Sequence, residues 1–215
     1  RRGVSVKRPL ALDLFCCAGG AAVGLHRAGF DVVGVDIVRR DRYPFQFVQA
    51  DALRPPFDLQ QFDFIWASPP CQAYSWSAKR WDVERADLVE PTRAMLDTSG
   101  RPYCIENVPG APIRADLVLT GMMFGLGVIR RRHFEFNFFV LGPPPHAKRG
   151  GVRTGEYVTV AGHGGDNIKG RGSRSAKQEA MGIDWMSDEE LNEAIPPAYG
   201  EFIGRAAMRE IEAHR

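Results

Sequence analysis

No apolar run in this chain reaches the length needed to span a membrane, and the segment Arg1 to Pro9 lacks the apolar core of a secretion signal. Cysteine is scarce: Cys16, Cys17, Cys71 and Cys104 form no Cys-x-x-Cys pair, and no Cys/His cluster has zinc spacing. These absences argue against a disulfide scaffold or a zinc module and predict reduced thiols in a cytoplasmic protein without a metal site. A free cysteine in such a setting is usually a small core residue, so any chemical role needs its own evidence. Charge imbalance is also missing. The formal net charge is +2, which neither demands nor excludes a nucleic-acid partner. There is no internal repeat, and the strict Gly-x-Gly-x-x-Gly pattern of a nicotinamide dinucleotide site is absent.

What is present is an alternation of short apolar runs and helical stretches. Leu10 to Phe15 is a first apolar run, followed by a small-residue turn from Cys16 to Gly20. Ala21 to Ala28 has helical spacing and ends at Gly29, and Val32 to Val35 is a second run that ends in Asp36. Strand, glycine-rich turn, helix, strand, acid is the opening unit of a nucleotide-binding parallel sheet. Phe47 to Gln49 leads to Asp51, and Phe62 to Ala67 leads into Ser68-Pro69-Pro70-Cys71-Gln72. A helix is predicted over Arg85 to Thr98, then a strand over Tyr103 to Ile105 that runs into Glu106-Asn107-Val108. Strands alternating with helices predict an α/β sheet with its active residues at the strands' C-terminal ends.

The pattern breaks between Gly142 and Gly172, a stretch with nine glycines and Pro143, Pro144 and Pro145. Tyr157 to Val160 is the one short strand expected there. From Gly142 to Gln178 there are seven basic residues against two acidic ones, the largest local excess in the chain. Helical character returns over Ser175 to Met181 and Tyr199 to Ala213.

Two ends of a cleft follow. Gly19 and Gly20 let the backbone approach a ligand, Asp36 can accept ribose hydroxyls, and Asp51 can accept an adenine amino group, so a nucleoside-containing cofactor fits. Across the sheet, the prolines before Cys71 stiffen the backbone that presents a thiol. Glu106, at the end of the neighbouring strand, faces the same cleft. A thiol and a carboxyl together suit chemistry at C5 of cytosine, a poor nucleophile until a thiolate adds at C6. A carboxyl hydrogen-bonded to N3 then stabilises the adduct.

These residues, in this order, resemble the C5-cytosine-specific DNA methyltransferase family. Asp13-Leu14-Phe15-Cys16-Cys17-Ala18-Gly19-Gly20, continuing through Gly24 and Gly29-Phe30, is similar to its first cofactor motif, and Asp36 and Asp51 to its next acidic positions. Pro69-Pro70-Cys71-Gln72 resembles its nucleophile motif, Glu106-Asn107-Val108 its pyrimidine-binding motif, and Arg130-Arg131-Arg132 the end of its arginine motif. Ala194-Ile195-Pro196-Pro197 resembles the C-terminal motif that returns to the cofactor. Three positions depart: Val128 stands in place of Gln, Glu193 in place of the Asn that touches the cofactor's methionine part, and Ile37 in place of an aromatic over the adenine.

The resemblance implies a Rossmann-like, class I S-adenosylmethionine-dependent methyltransferase: a mostly parallel sheet with helices on both faces and a small glycine-rich lobe. It implies S-adenosylmethionine as cofactor, held by Phe15, Ala18, Gly19, Gly20, Asp36, Ile37, Asp51, Ala52, Pro69, Ala194 and Ile195. It implies catalysis by Cys71 with Pro70, Glu106, Asn107 and Arg132, and nucleic-acid contacts from Gln72, Ser75, Arg130, Lys169, Arg171 and Arg174. The organisation expected is a core over 1–141, a reduced target-recognition segment over 142–174 and returning helices over 175–215. The expected partner is DNA with its target cytosine flipped out of the stack, bound by a monomer in a bacterial or phage-infected cell. Trp76 and Trp81, just past the nucleophile, are candidates to stack on it. Two other readings stay open: methylation of a free cytidine nucleotide, and a catalytically inactive nucleic-acid-binding homologue.

Overall fold

A computed structural model describes residues 7–71, 87–144, 150–152, 155–160 and 172–214. Among these residues seven strands form one sheet: β1 (Leu10–Leu14), β2 (Asp31–Asp36), β3 (Gln46–Gln49), β4 (Phe64–Ala67), β5 (Tyr103–Asn107), β6 (Leu117–Leu119) and β7 (Arg132–Phe136). Their order across the sheet is β3-β2-β1-β4-β5-β7-β6. β1 to β5 pair in parallel, whereas β7 runs antiparallel to both β5 and β6. Strand order reverses between the neighbours β1 and β4, where the crossovers leave toward opposite edges and open a crevice at the strands' C-terminal ends.

Among the described residues, five α-helices accompany the sheet: α1 (Gly20–Ala28), α2 (Val89–Ser99), α3 (Arg174–Met181), α4 (Asp188–Glu193) and α5 (Pro197–Ala213). Side chains alternate between the sheet's faces with the strand period of two. Ala11, Val32, Phe64, Trp66 and Phe134 join Leu25, Tyr199 and Ile203 of α1 and α5 in one core. Leu12, Leu14, Val35, Ile65 and Ile105 join Leu96 of α2 in the other. Helices therefore cover both faces, as the sequence predicts. α1 and α5 touch at backbone distance: a β-carbon at Gly24 would lie 2.1 Å from Pro197 O, and one at Gly200 would lie 2.4 Å from Ala21 O.

Three details differ from the sequence reading. β6 and β7 were not expected: β6 has only three residues, and β7 opens with Arg132 and His133 and carries Glu135, a charged pattern that hides a strand. Tyr157 to Val160 is not a strand; Val158 N donates to Gly127 O at 2.7 Å, tying this segment to the loop before β7. The helix expected from Arg85 begins at Val89, with Asp87 Oδ1 accepting from Val89 N; residues 85 and 86 lie outside the described residues.

One carboxyl lies inside the first core. Asp13, on β1, is buried, and its Oδ2 accepts from Tyr43 Oη at 3.4 Å. Burial, against the opposing hydrogen bond from Tyr43, holds its pKa well above the ordinary 3.8. A carboxyl raised on folding contributes stability at low pH that is lost as pH climbs through the folded value. Asp13→Asn should therefore melt at higher temperature than wild type at pH 8, with the gap shrinking toward pH 4, in parallel thermal melts at about those two values. An equal melting difference at both would show that Asp13 does not titrate on folding.

Candidate active site

The turn after β1 carries uncommon backbone. Phe15 and Cys17 have φ of 57° and 45°, a region that non-glycine residues rarely occupy and that recurs where a structure holds strain for function. Gly19 follows with φ 83°. Two side chains, Asp36 and Trp185, fix this turn. Asp36 Oδ2 accepts from Cys17 N at 2.9 Å, and Asp36 Oδ1 accepts from Val38 N at the same distance. Trp185 Nε1 donates to Ala18 O at 2.8 Å. A β-carbon at Gly20 would fall 2.1 Å from Ile195 O, so this glycine makes room for the C-terminal strap rather than for a ligand.

The expected cofactor residues thus gather at one end of the sheet, with changed duties for some. Asp36 braces the turn through both oxygens, although each carboxylate oxygen retains a second lone pair for a hydroxyl. Ala18 and Ala52 are buried, and Ala194 and Ile195 lie against the turn. Phe15 is partly buried against the second core. Ile37 is 69% exposed directly after Asp36, an apolar surface available to a ring. Asp51 is exposed, its Oδ1 accepting from Leu53 N. An apolar face, a ribose acceptor and a strained glycine turn fit a nucleoside cofactor.

Across β4 lies the second cluster. Cys71 follows Pro69 and Pro70, and Asn107 Nδ2 donates to Pro69 O at 3.0 Å, fastening the end of β5 to the proline loop. Asn107 Oδ1 accepts from Val108 N. Asn107 is therefore a positioning residue for the loop. Pro69 is buried and Pro70 exposed.

Glu106 is buried at the end of β5, and Arg132 Nε stands 3.0 Å from its Oε1. Ser68 was not expected to take part. Its oxygen accepts from Trp66 Nε1 at 2.8 Å, which leaves the hydroxyl proton for Glu106. Burial raises the Glu106 pKa, and Arg132, Ser68 and Arg130 pull it back. The carboxyl is thus prepared to keep or share a proton with a base. The Cys71 thiol is raised by burial too, with Arg132 and Arg130 lowering it and Glu106 raising it. Cys16 and Cys104 are buried in the first core.

Two arginines expected to meet nucleic acid are used internally. The Arg130 guanidinium turns inward and donates to Val160 O at 2.7 Å, to Asn192 O at 2.7 Å and to Ala194 O at 2.7 and 3.1 Å. Tyr199 Oη donates to the Arg130 carbonyl at 2.8 Å. Burial, and then the nearby Arg132, push this guanidinium down to about 9. Arg174 gives Nε and Nη2 to Met186 O. The neighbouring Lys177 is buried and bonds Asp188 Oδ1 at 2.7 Å. Part of the basic excess therefore holds the fold. Gln72, Ser75, Trp76, Trp81, Lys169 and Arg171 lie outside the described residues.

Residues 11–111 match the family model described as C-5 cytosine-specific DNA methylase. The chain is 30% identical over 125 residues to the type II methyltransferase M.XorII of Xanthomonas oryzae pv. oryzae, covering 49% of this chain and 30% of that protein. It is 31% identical over 116 residues to the type II methyltransferase M.PspPI of a Psychrobacter species, covering 46% and 27%. The matched region thus spans less than a third of these relatives' own length. Among solved structures, the S. pombe Dnmt2 methyltransferase superposes with a TM-score of 0.62 at 11% identity, over 95% of this chain and 99% of that one. The Entamoeba histolytica methyltransferase EhMeth gives 0.59 at 12%, over 96% and 99%. These likenesses establish the fold as the class I methyltransferase sheet.

Arg130→Ala should destabilise the chain by about 3 kcal/mol or more, since it strips donors from several enclosed carbonyls at once. It should leave the salt slope of any nucleic-acid binding unchanged. Chemical denaturation and a salt titration measure the two effects. A stable variant with a flatter salt slope would restore Arg130 to the phosphate contacts.

Proposed function

We propose that the chain is a C-5 cytosine-specific DNA methylase, the family whose model matches residues 11–111, and that it methylates C5 of cytosine in DNA through a covalent intermediate on Cys71. The observation that carries the reading is the assembly of Cys71, Glu106 and Arg132 at the adjoining ends of β4, β5 and β7. The cofactor is S-adenosylmethionine, which supplies an electrophilic methyl group when bound, and the glycine turn with Asp36, Ile37 and Asp51 fits its nucleoside.

The chain's own residues then act in sequence. Asn107 and the prolines hold the Cys71 sulfur in place. The thiolate forms a bond to C6 of a cytosine turned out of its stack. Glu106, protonated or sharing a proton, donates to N3, so the electron pair released by addition is stabilised on the ring and made available at C5. Arg132 accompanies Glu106 and offers remaining guanidinium donors to the exocyclic O2 of the base. After C5 has gained the methyl group it loses its proton to solvent, the C6–S bond breaks, and the sulfur leaves as thiolate.

Duplex DNA is the proposed substrate because the matched family and both curated relatives are DNA methylases or type II methyltransferases by name. The test is transfer of labelled methyl from S-adenosylmethionine to duplex DNA, to an RNA hairpin and to free cytidine monophosphate. Label on DNA C5 is expected with wild type and lost with Cys71→Ala. Glu106→Gln should slow single-turnover transfer by about a hundredfold or more while changing DNA affinity little, because its bond strengthens as charge develops. Label on the free nucleotide or RNA alone would replace the substrate assignment, and transfer by Cys71→Ala would remove the covalent step.

The resting thiol also gives a pH prediction. The thiolate is the reactive form, and burial raises this thiol above its ordinary 9.0, so alkylation should accelerate with pH to a midpoint above that value. Iodoacetamide labelling of the Cys71 peptide, followed by mass spectrometry, measures it. A midpoint near neutrality would mean that the guanidinium groups outweigh burial.

A further inference from the structure

A chain of hydrogen bonds with a single direction runs from the core to the Glu106 carboxyl. Trp66 sits on β4 and is wholly buried. Its indole Nε1 donates to Ser68 Oγ at 2.8 Å. An indole nitrogen can only donate, so the serine oxygen accepts here and its own proton is left for another group. That group is Glu106. The backbone fixes the serine on both sides. Ser68 N donates to Leu14 O at 3.1 Å, and the carbonyl of the next residue, Pro69, accepts from Asn107 Nδ2 at 3.0 Å. The partly buried hydroxyl is therefore held between a buried donor and a buried acceptor.

Other groups act on the same carboxyl from the elements around it. Arg132 of β7 stands 3.0 Å from its Oε1, and Arg130, just before that strand, adds a second positive charge. Asp13 on β1, Cys71 after β4, Cys104 on β5 and Tyr199 on α5 are its titratable neighbours, and burial pushes all four toward their neutral forms. The two guanidinium groups have further duties. Arg130 gives its donors to the carbonyls of Val160, Asn192 and Ala194. Arg132 is the donor proposed for O2 of the base. The serine proton, in contrast, is aimed at Glu106 alone by the indole behind it.

We propose that Ser68, oriented by Trp66, is a positioning residue for the reaction, its hydroxyl stabilising the Glu106 carboxylate as the proton moves to the base. This rests on the reading of Glu106 as the group that meets N3 of cytosine. As the Cys71 sulfur bonds C6, the displaced π electron pair comes to rest on N3, N3 takes the Glu106 proton, and the carboxyl becomes a carboxylate. A hydroxyl bonds a carboxylate more tightly than a neutral carboxylic acid. The Ser68 bond is therefore stronger in the transition state than before it, which is the condition for accelerating the step. The indole donor polarises the serine O–H and strengthens the bond further. When C5 takes the methyl group the proton returns from N3 to Glu106, and the chain of bonds is restored.

Two measurements on the full chain separate this role from bracing of the proline loop. In protein labelled with carbon-13 at its glutamate carboxyls, nuclear magnetic resonance follows Glu106 through a pH titration, and Glu106→Gln identifies its signal by removing it. A hydroxyl that donates to the anion lowers the carboxyl's pKa, so its loss raises it. Ser68→Ala should move the Glu106 midpoint up by about one pH unit and slow single-turnover methyl transfer to duplex DNA about tenfold, as expected for a lost hydrogen bond to a charged group. Ser68→Thr, which keeps the hydroxyl, should restore both. Trp66→Phe should move the midpoint in the same direction and by less, and the spectra themselves show that each variant is folded. Slower transfer by Ser68→Ala with an unmoved midpoint would overturn the proposal, because the serine would then only brace the loop. A moved midpoint with an unchanged rate would overturn it equally. Wild type that transfers no methyl group would instead remove the reading of the reaction, while the titration, which needs no turnover, still reports the hydrogen bond.

Discussion

A carboxyl buried at the end of a strand is unfavourable unless a cation is buried with it, and Glu106 has Arg132 at 3.0 Å. Much of the active end of the molecule is arranged so that this pair can exist. β7 must run antiparallel beside β5, because only then does its first residue, Arg132, reach the end of β5 where Glu106 sits. Ser68 supplies a hydroxyl to the same carboxyl and is itself oriented by the Trp66 indole. The result is a carboxyl whose pKa burial raises and two guanidinium groups restrain, next to a thiol with the same balance of influences. Groups with perturbed titration behaviour, set in fixed geometry, are what proton sharing with a base requires.

Arg130 joins this pair to the cofactor end. Two residues before Arg132, it bonds carbonyls of Asn192 and Ala194 in the strap that lies over Gly20, and of Val160 in the glycine-rich segment. Three stretches far apart in sequence thus meet on one guanidinium, whose planar array of five donors suits several carbonyls at once. Displacing the strap would disturb both the glycine turn and the arginine pair. The proposed cofactor and base sites are in this sense one construction, built around the ends of β1, β4, β5 and β7.

The parallel half of the sheet was legible because its strands are apolar runs bounded by glycine and acid, and the placing of Cys71 and Glu106 at neighbouring strand ends because Pro-Pro-Cys and Glu-Asn-Val each follow such a run. The antiparallel edge was not legible. β7 places Arg132, His133 and Glu135 within five residues, and its strand character comes from pairing with β5 rather than from its own pattern. The duties of Arg130 and Arg174 differ from the expected nucleic-acid contacts for a related reason: basic residues beside a glycine-rich segment suggest phosphate, while their carbonyl partners, Asn192 O and Met186 O among them, lie well downstream in the chain. Trp185 and Tyr199 carry no motif at all, and only three-dimensional proximity reveals them. Asp36 was placed correctly at the end of β2, but its bracing of Cys17 N depends on the strained turn, which sequence does not display.

The central claim is that Cys71 becomes covalently bound to C6 of the target cytosine. Incubating the protein and S-adenosylmethionine with DNA in which the target cytosine is replaced by 5-fluorocytosine tests it directly, because fluorine at C5 cannot leave as the proton does and the C6–S bond cannot be released. Denaturing electrophoresis followed by peptide mass spectrometry should find one protein–DNA adduct, dependent on S-adenosylmethionine and located at Cys71. A protein that methylates the unmodified DNA yet forms no adduct with the fluorinated one, or forms it at another residue, would contradict the account.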